Sequence, residues 1–349
     1  MAINSNDFLN KFDPHKDVLV DVRSEGEFFD GHLRGAINIP ILKNEHRHLV
    51  GICYKENGQE AAIKLGHELV DPIKPELQQR WVAAVKGKTA YLHCWRGGLR
   101  SRISSEWIRE VGGSVETISG GYKEVRKRLL QKLSANHDFV LLSGLTGSGK
   151  THFLHEFKKK NTIDLEALAN HRGSAFGGAY SAQPSQQTFE NALGYELLNI
   201  TEPFLLEDES VMIGSIKIPD EFYARMKISP CVILELDQDK RAENIYRDYI
   251  VGSKMAAPEL AQFMRNNLVK IKSRLGGKRY QDTLYVMDKA FAHESPEFHR
   301  EWVRMLLEFY YDPLYQRNLK KIKERVLFQG EWQELYEFIN HHLSRSRTR

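Results

Sequence analysis

The chain has 349 residues, 41% of them hydrophobic, which gives length for two cores and excludes a fibrous or disordered class. Its formal net charge is +4, so local clusters of charge say more than the total. Only Cys53, Cys94 and Cys231 occur, an odd and sparse set without metal-type spacing, which argues against a disulfide framework and for a reducing cytosol. The opening residues lack a basic and apolar leader pattern and no apolar run has the length to span a bilayer, so a cytoplasmic protein with no membrane partner is expected.

In chain order, Val18-Leu19-Val20-Asp21-Val22-Arg23 is β-rich, and Ser24-Glu25-Gly26-Glu27-Phe28 reads as an N-cap and helix start. Residues 31–40 form a loop into a second short strand, and Thr89-Ala90-Tyr91-Leu92-His93 is a third, delivering Cys94 at its carboxyl end. Strands alternating with helices predict a parallel sheet, where ligand sites lie beyond the carboxyl ends of strands. Residues 122–132 read as a basic helical connector, and Asp138-Phe139-Val140-Leu141-Leu142-Ser143 starts a new core strand. The expected division is therefore 1–136 and 137–349. Further strands are expected at 162–166, 204–209 and 231–237. From Pro258 onward the pattern turns helical, with Leu260, Phe263, Met264, Leu268, Ile271 and Leu275 on one buried stripe.

Cys94 lies in Cys94-Trp95-Arg96-Gly97-Gly98-Leu99-Arg100-Ser101. A thiol is nucleophilic as thiolate, and inward backbone N–H groups, a helix N-terminus and a guanidinium all favour that form. Gly97 and Gly98 permit a tight bowl, while Arg96 and Arg100 are candidates to seat an anion. The competing reading is a small buried cysteine. For Cys53 and Cys231 that plain reading is preferred, and Gly66 and His67 read as packing residues.

The run Gly144-Leu145-Thr146-Gly147-Ser148-Gly149-Lys150-Thr151 fits the complete phosphate-loop pattern, with a strand before and a helix after. Backbone amides surround phosphate oxygens, Lys150 neutralises charge and Thr151 suits Mg²⁺, although the pattern does not say which phosphate compound binds. Glu207, Asp208 and Glu209 end a strand where a metal-orienting carboxylate belongs; a solvated acidic strand end is the alternative. Asp164, Glu166, His171, Arg172, Gly173, Ser174 and Phe176 form a candidate substrate loop. Between 261 and 281 no acidic residue occurs, while Arg265, Lys270, Lys272, Arg274, Lys278 and Arg279 do, a candidate RNA face against the alternative of a solvated helix.

Asp21-Val22-Arg23, Gly35-Ala36-Ile37-Asn38-Ile39-Pro40 and the Cys94 loop together resemble a rhodanese domain. With the phosphate loop and the run from Asp164 to Ser174, the whole resembles the tRNA 2-selenouridine synthase family. The fold this implies is α/β: a rhodanese-like parallel-sheet domain, then a P-loop kinase-like domain with a basic helical C-terminal region. The resemblance also implies an enzyme that converts 2-thiouridine at the tRNA wobble position into 2-selenouridine. Its co-substrates would be selenophosphate and geranyl diphosphate, with no tightly bound cofactor and with Mg²⁺ admissible. A selenophosphate-producing enzyme would be a partner. In that scheme the phosphate loop holds geranyl diphosphate, Cys94 carries selenium as a selenenylsulfide, His171, Arg172 and Phe176 contact the base, and the 265–279 cations meet tRNA phosphates. Five residues separate Cys94 from Arg100, one more than sulfurtransferases usually have, and this longer loop also resembles rhodanese-related phosphatases. A phosphatase or sulfurtransferase fused to a nucleotide-binding domain is thus the alternative.

Overall fold

Short, largely apolar runs form the strands of the described residues: β1 (Ala2–Ile3), β2 (Val18–Asp21), β3 (Ala36–Asn38), β4 (Ala90–His93), β5 (Glu116–Ile118), β6 (Phe139–Ser143), β7 (Thr162–Ile163), β8 (Phe204–Glu207), β9 (Met212–Ile213), β10 (Ile216–Lys217), β11 (Cys231–Leu234) and β12 (Val326–Gly330). The computed structural model describes residues 2–157, 161–171 and 182–346. Two compact units result: Met1–Ala135 with Pro184–Leu198, and Asn136–Gln183 with Asn199–Arg349.

In the first unit five parallel strands run in the order β1-β5-β4-β2-β3. Strands β2 and β4 are buried along their whole length, as expected for a sheet covered on both faces. One face packs Val20, Val22, Leu92 and Cys94 against Trp81 and Ile108; the other packs Leu19 and Tyr91 against Phe8, Phe12 and Val125. Helix Glu25–Asp30 starts where expected, its Ser24 N–H donating to Glu27 Oε2 at 3.2 Å, and the basic connector is helix Gly121–Leu133.

A single cut near 136 misses the return of Pro184–Leu198 to this unit. Helix Gln186–Asn199 is tied there by polar contacts that no linear pattern displays. Asn191 Nδ2 donates to His32 O at 2.9 Å, Tyr195 Oη to Phe12 O at 2.7 Å, and Arg126 to Asn191 Oδ1 at 2.9 Å. Gly194 permits the close approach, since a Cβ there would lie 2.7 Å from Leu129 O.

The second unit holds the parallel order β12-β11-β6-β8-β7 and the small antiparallel pair β9–β10. Its C-terminal region is not purely helical. Val326–Gly330 pairs with β11 as an edge strand, and its half-buried alternation is the signal of one covered face. The predicted stripe is real: Leu260, Met264, Leu268, Ile271 and Leu275 of helix Ala257–Leu275 are buried against Met287, Trp302 and Leu306. Among the described residues, no helix is long and apolar enough to cross a membrane.

Candidate functional site

Strand β4 delivers Cys94 to its carboxyl end, and the chain curls through Trp95-Arg96-Gly97-Gly98 into helix Leu99–Glu110. The curl is locked by the head of helix Gly121–Leu133, where the N–H groups of Tyr122 and Lys123 donate to the carbonyls of Cys94 and Trp95, each at 2.9 Å. Gly97 has φ +65°, and a Cβ on Gly121 would lie 2.4 Å from both Cys94 O and Gly97 N, so both positions require glycine. Cys94 itself is 3% exposed, at the floor of the bowl with its side chain against the sheet core. Arg96 is exposed.

Arg100 does not point freely at an anion. Its Nη1 and Nη2 donate to Glu27 at 2.6 and 3.2 Å, and Arg47 Nε lies 3.0 Å from the same carboxylate. Burial pushes the Glu27 carboxyl up, but Arg100 and then Arg47 overcome it and hold it below its usual range. Burial likewise opposes the charge of Arg100, while Glu27, with Cys94 and Asp21 adding, raises its pKa. Below the bowl, Arg23 forks onto Asp21 and donates to Gly31 O at 2.7 Å, its guanidinium 3.8 Å from the Tyr122 ring centre. Asn38 caps this frame by donating to the carbonyls of Asp21 and Arg23. The Asp-x-Arg pattern is thus structural. His93 is fully buried, its pKa lowered by burial against the pull of Asp21, 3.8 Å away.

In the second unit the phosphate loop runs from β6 into helix Lys150–Glu156. Gly147 and Gly149 adopt φ +82° and +89°, and the loop is braced from outside: Arg241 donates to Thr146 O, Asn244 to Gly147 O, and Arg241 forks onto Asp312 at 2.8 and 2.7 Å. Lys150 reaches back to Gly144 O at 2.9 Å, and Gly144 N–H donates to Tyr315 Oη at 2.7 Å. Ser148 Oγ is buried without a hydrogen-bond partner among the described residues. Around this loop lies a cavity of about 860 Å³ that Thr151 and Glu166 also line, with Tyr223, Met226, Ile245 and Tyr249 as its less polar wall.

Carboxylate oxygens of Glu166, Glu207 and Glu209 come within 4.8 Å of one another beside Lys150. Glu207 Oε2 is buried without a hydrogen-bond partner among the described residues. Burial first, then the neighbouring carboxylates, push Glu207 well above the usual range and Glu209 up to about 8. Burial opposes the Lys150 ammonium, but Tyr315, Glu207, Glu209 and Glu166 raise its pKa. The cluster therefore keeps protons until a cation replaces them, and its hard oxygen donors fit Mg²⁺.

The structure thus brings Glu166, from the candidate substrate loop, to the acidic strand end. Asp208 turns aside, accepting from Ser143 Oγ at 2.6 Å. Asp164 caps helix Leu165–Leu168, accepting from Ala167 N–H at 2.8 Å, and His171 follows in a bend, its buried Nδ1 without a hydrogen-bond partner among the described residues. Arg172, Gly173, Ser174 and Phe176 lie outside the described residues. Of the six cations, Lys270, Lys272, Arg274, Lys278 and Arg279 are exposed, whereas Arg265 is paired with Asp288 at 2.7 Å. The acid-free window in sequence does not survive folding, because helix Gly277–Ala292 returns Asp288 beside it. Sequence reasoning missed Glu27 as the partner of Arg100, and Tyr315 and Arg241 as braces of the phosphate loop; the Ser24–Glu27 capping box was the one signal that marked Glu27.

Comparison with known proteins agrees with this two-part architecture. A family model described as the tRNA 2-selenouridine synthase AAA domain matches residues 137–346, and a rhodanese-like domain model matches residues 5–128. The chain is 37% identical to a tRNA 2-selenouridine synthase of Shewanella frigidimarina, over 93% of this chain and 95% of that one. It is 39% identical to one of Shewanella denitrificans, over 92% and 94%, and 38% identical to one of Hahella chejuensis, over 99% and 96%. The chain belongs to the tRNA 2-selenouridine synthase family.

Proposed function

We propose that the chain replaces the sulfur of wobble 2-thiouridine in tRNA with selenium, in the cytosol, in two steps divided between its two loops. The single observation that carries this reading is the pairing, in one chain of this family, of a cysteine bowl with a phosphate-loop cavity that Tyr223, Met226 and Ile245 also line. The apolar and aromatic lining residues Tyr223 and Met226 suit an isoprenoid chain, and the loop, with Ile245 packed against Gly147, suits a diphosphate.

In the first step the thiouridine sulfur attacks C1 of geranyl diphosphate. The C–O bond breaks and diphosphate leaves with the electron pair, its charge met by Lys150 and the loop amides. Mg²⁺ held by Glu166, Glu207 and Glu209 would supply further neutralisation of that leaving group. Alkylation turns a thiocarbonyl sulfur into a group that can leave C2.

In the second step the Cys94 thiolate attacks phosphorus of selenophosphate, forming an S–P bond as the Se–P bond breaks and selenium departs with that pair as selenide. The five-residue span to Arg100 gives the bowl room for a phosphorus-bearing donor. The released selenide adds to C2, the C2–S bond breaks and geranylthiolate leaves with its pair, and water hydrolyses the Cys94 S–P bond to restore the thiol and free phosphate. Covalent capture of the phosphoryl group by Cys94 splits one hard transfer into easier ones. A selenophosphate-producing enzyme is the expected supplier of the donor. Mass spectrometry of tRNA nucleosides from a strain lacking the protein tests this: loss of 2-selenouridine, restored by the intact chain, supports it, and unchanged 2-selenouridine refutes it.

A further inference from the structure

The first unit carries a groove of about 620 Å³, lined by Trp95, Tyr122, Lys123, Lys127, Leu130 and Gln131 among others. It is separate from the phosphate-loop cavity, and none of the steps above uses it. Trp95 follows the nucleophile directly, and its position is fixed. Its carbonyl accepts from Lys123 N–H, and its ring lies 5.5 Å from that of Tyr122 at 34°, with the Arg23 guanidinium 5.9 Å from its centre. Yet Trp95 remains 37% exposed. A large aromatic ring held rigidly by its neighbours and more than a third exposed is a stacking platform.

The groove runs on along one face of helix Gly121–Leu133, because Lys123, Lys127 and Leu130 recur at helical spacing. Lys123 and Lys127 are exposed and make no ion pair among the described residues, and the groove has no acidic lining residue. Arg126, also in the lining, is committed to Glu190 and Asn191. Glu124 lies off the groove and pairs with Arg128 at 3.2 Å. The surface therefore offers one aromatic face and two unneutralised cations, complementary to a base joined to phosphates.

We infer that this groove receives one unpaired nucleotide of the RNA, its base stacked on Trp95 and the flanking phosphates at Lys123 and Lys127. The inference rests on the function proposed above and adds where the RNA is gripped on the first unit. On the unit that carries Cys94, Trp95 is then a positioning residue for selenium delivery and not for geranylation.

The test uses the full chain and an anticodon stem-loop RNA with 5-iodouridine at the wobble position, which crosslinks to aromatic rings on irradiation. Mass spectrometry should map the crosslink to Trp95; a crosslink only to residues outside 95 and 122–135 overturns the inference. With pre-geranylated RNA, Trp95→Ala should raise KM for selenium transfer about tenfold or more, and Trp95→Phe should restore most of it, while geranylation of thiouridine RNA keeps its kcat. Replacing Lys123 and Lys127 together by Gln should lower the slope of log affinity against log salt by about 1.4. Were Trp95→Ala to raise KM for geranyl diphosphate and leave that for RNA unchanged, the groove would hold the prenyl chain and the inference would fall. An intact chain that makes no 2-selenouridine defeats the proposed function instead; an intact chain that makes it, with a Trp95→Ala variant of unchanged KM, defeats the groove alone.

Discussion

The loops after β4 and β6 share an outline and differ in how their charges are held. Both leave the carboxyl end of a buried parallel strand, and both turn on glycines with positive φ, Gly97 in one, Gly147 and Gly149 in the other. In the cysteine loop the nearby cation is already satisfied, because Arg100 is forked onto Glu27. In the phosphate loop Lys150 faces carboxyls that burial and mutual repulsion drive toward the protonated form, Glu209 titrating at about 8. The first loop is an ion-paired frame around a sulfur, and the second is a proton reservoir open to a cation and a diphosphate. A motif states where an anion can sit; its neighbours decide what charge awaits it.

The largest expected effects separate the loops outright. Cys94→Ser should abolish selenium incorporation and leave S-geranylated tRNA accumulating, read by nucleoside mass spectrometry; selenium incorporated at the normal level would assign the nucleophile to another residue. Lys150→Ala should lower the geranylation rate about 10²- to 10³-fold, the scale for losing one donor to a developing charge, with selenium transfer to pre-geranylated RNA spared. Equal losses in both steps would erase the division between the loops.

Smaller effects probe the charge difference. Glu27→Gln removes charge-assisted bonds from Arg100 and should destabilise the chain by about 1.5–3 kcal/mol near neutrality. Because the folded Glu27 carboxyl lies below its usual range, that stabilisation is present above about pH 4.3 and is lost as pH falls through the folded value, so wild type and variant should converge in acid. A gap in denaturation midpoint that persists in acid would show that Glu27 acts through packing alone. Glu209 has the opposite sign. Its raised pKa means that the folded state keeps a proton the unfolded chain releases, so it costs stability progressively as pH rises from about 4.3 toward 8. Without Mg²⁺, Glu209→Gln should therefore gain in melting temperature over wild type as pH rises across that window, and a flat difference would contradict the buried cluster.

The smallest effect is expected at the helical face. Charge reversal of Lys270 and Lys272 should weaken tRNA binding and flatten its salt dependence. Unchanged affinity would assign that face to solvent alone.

Much of this organisation is legible in the sequence because strands, caps and phosphate loops are local. Val18 to Asp21, Ala90 to His93 and Phe139 to Ser143 announce themselves by apolar runs, and Gly149-Lys150-Thr151 by its context. What escapes is set by distant partners. The hold of Glu27 on Arg100 spans 73 residues, and the grip of Tyr315 on Gly144 spans 171. The return of Pro184–Leu198 to the first unit rests on single polar contacts at Asn191 and Tyr195. Strand β12 hides inside a region of helical composition because one covered edge needs only alternate apolar residues.

The most direct test of two loops doing two consecutive jobs is a relay between the variants. Thiouridine-containing RNA is treated first with Cys94→Ser and geranyl diphosphate, freed of protein, then given to Lys150→Ala with selenophosphate and a thiol. Formation of 2-selenouridine in this order, and none when the order of the two proteins is reversed, is the predicted result. Absence of 2-selenouridine in the forward order, with both variants folded and the geranylated intermediate verified, would contradict it.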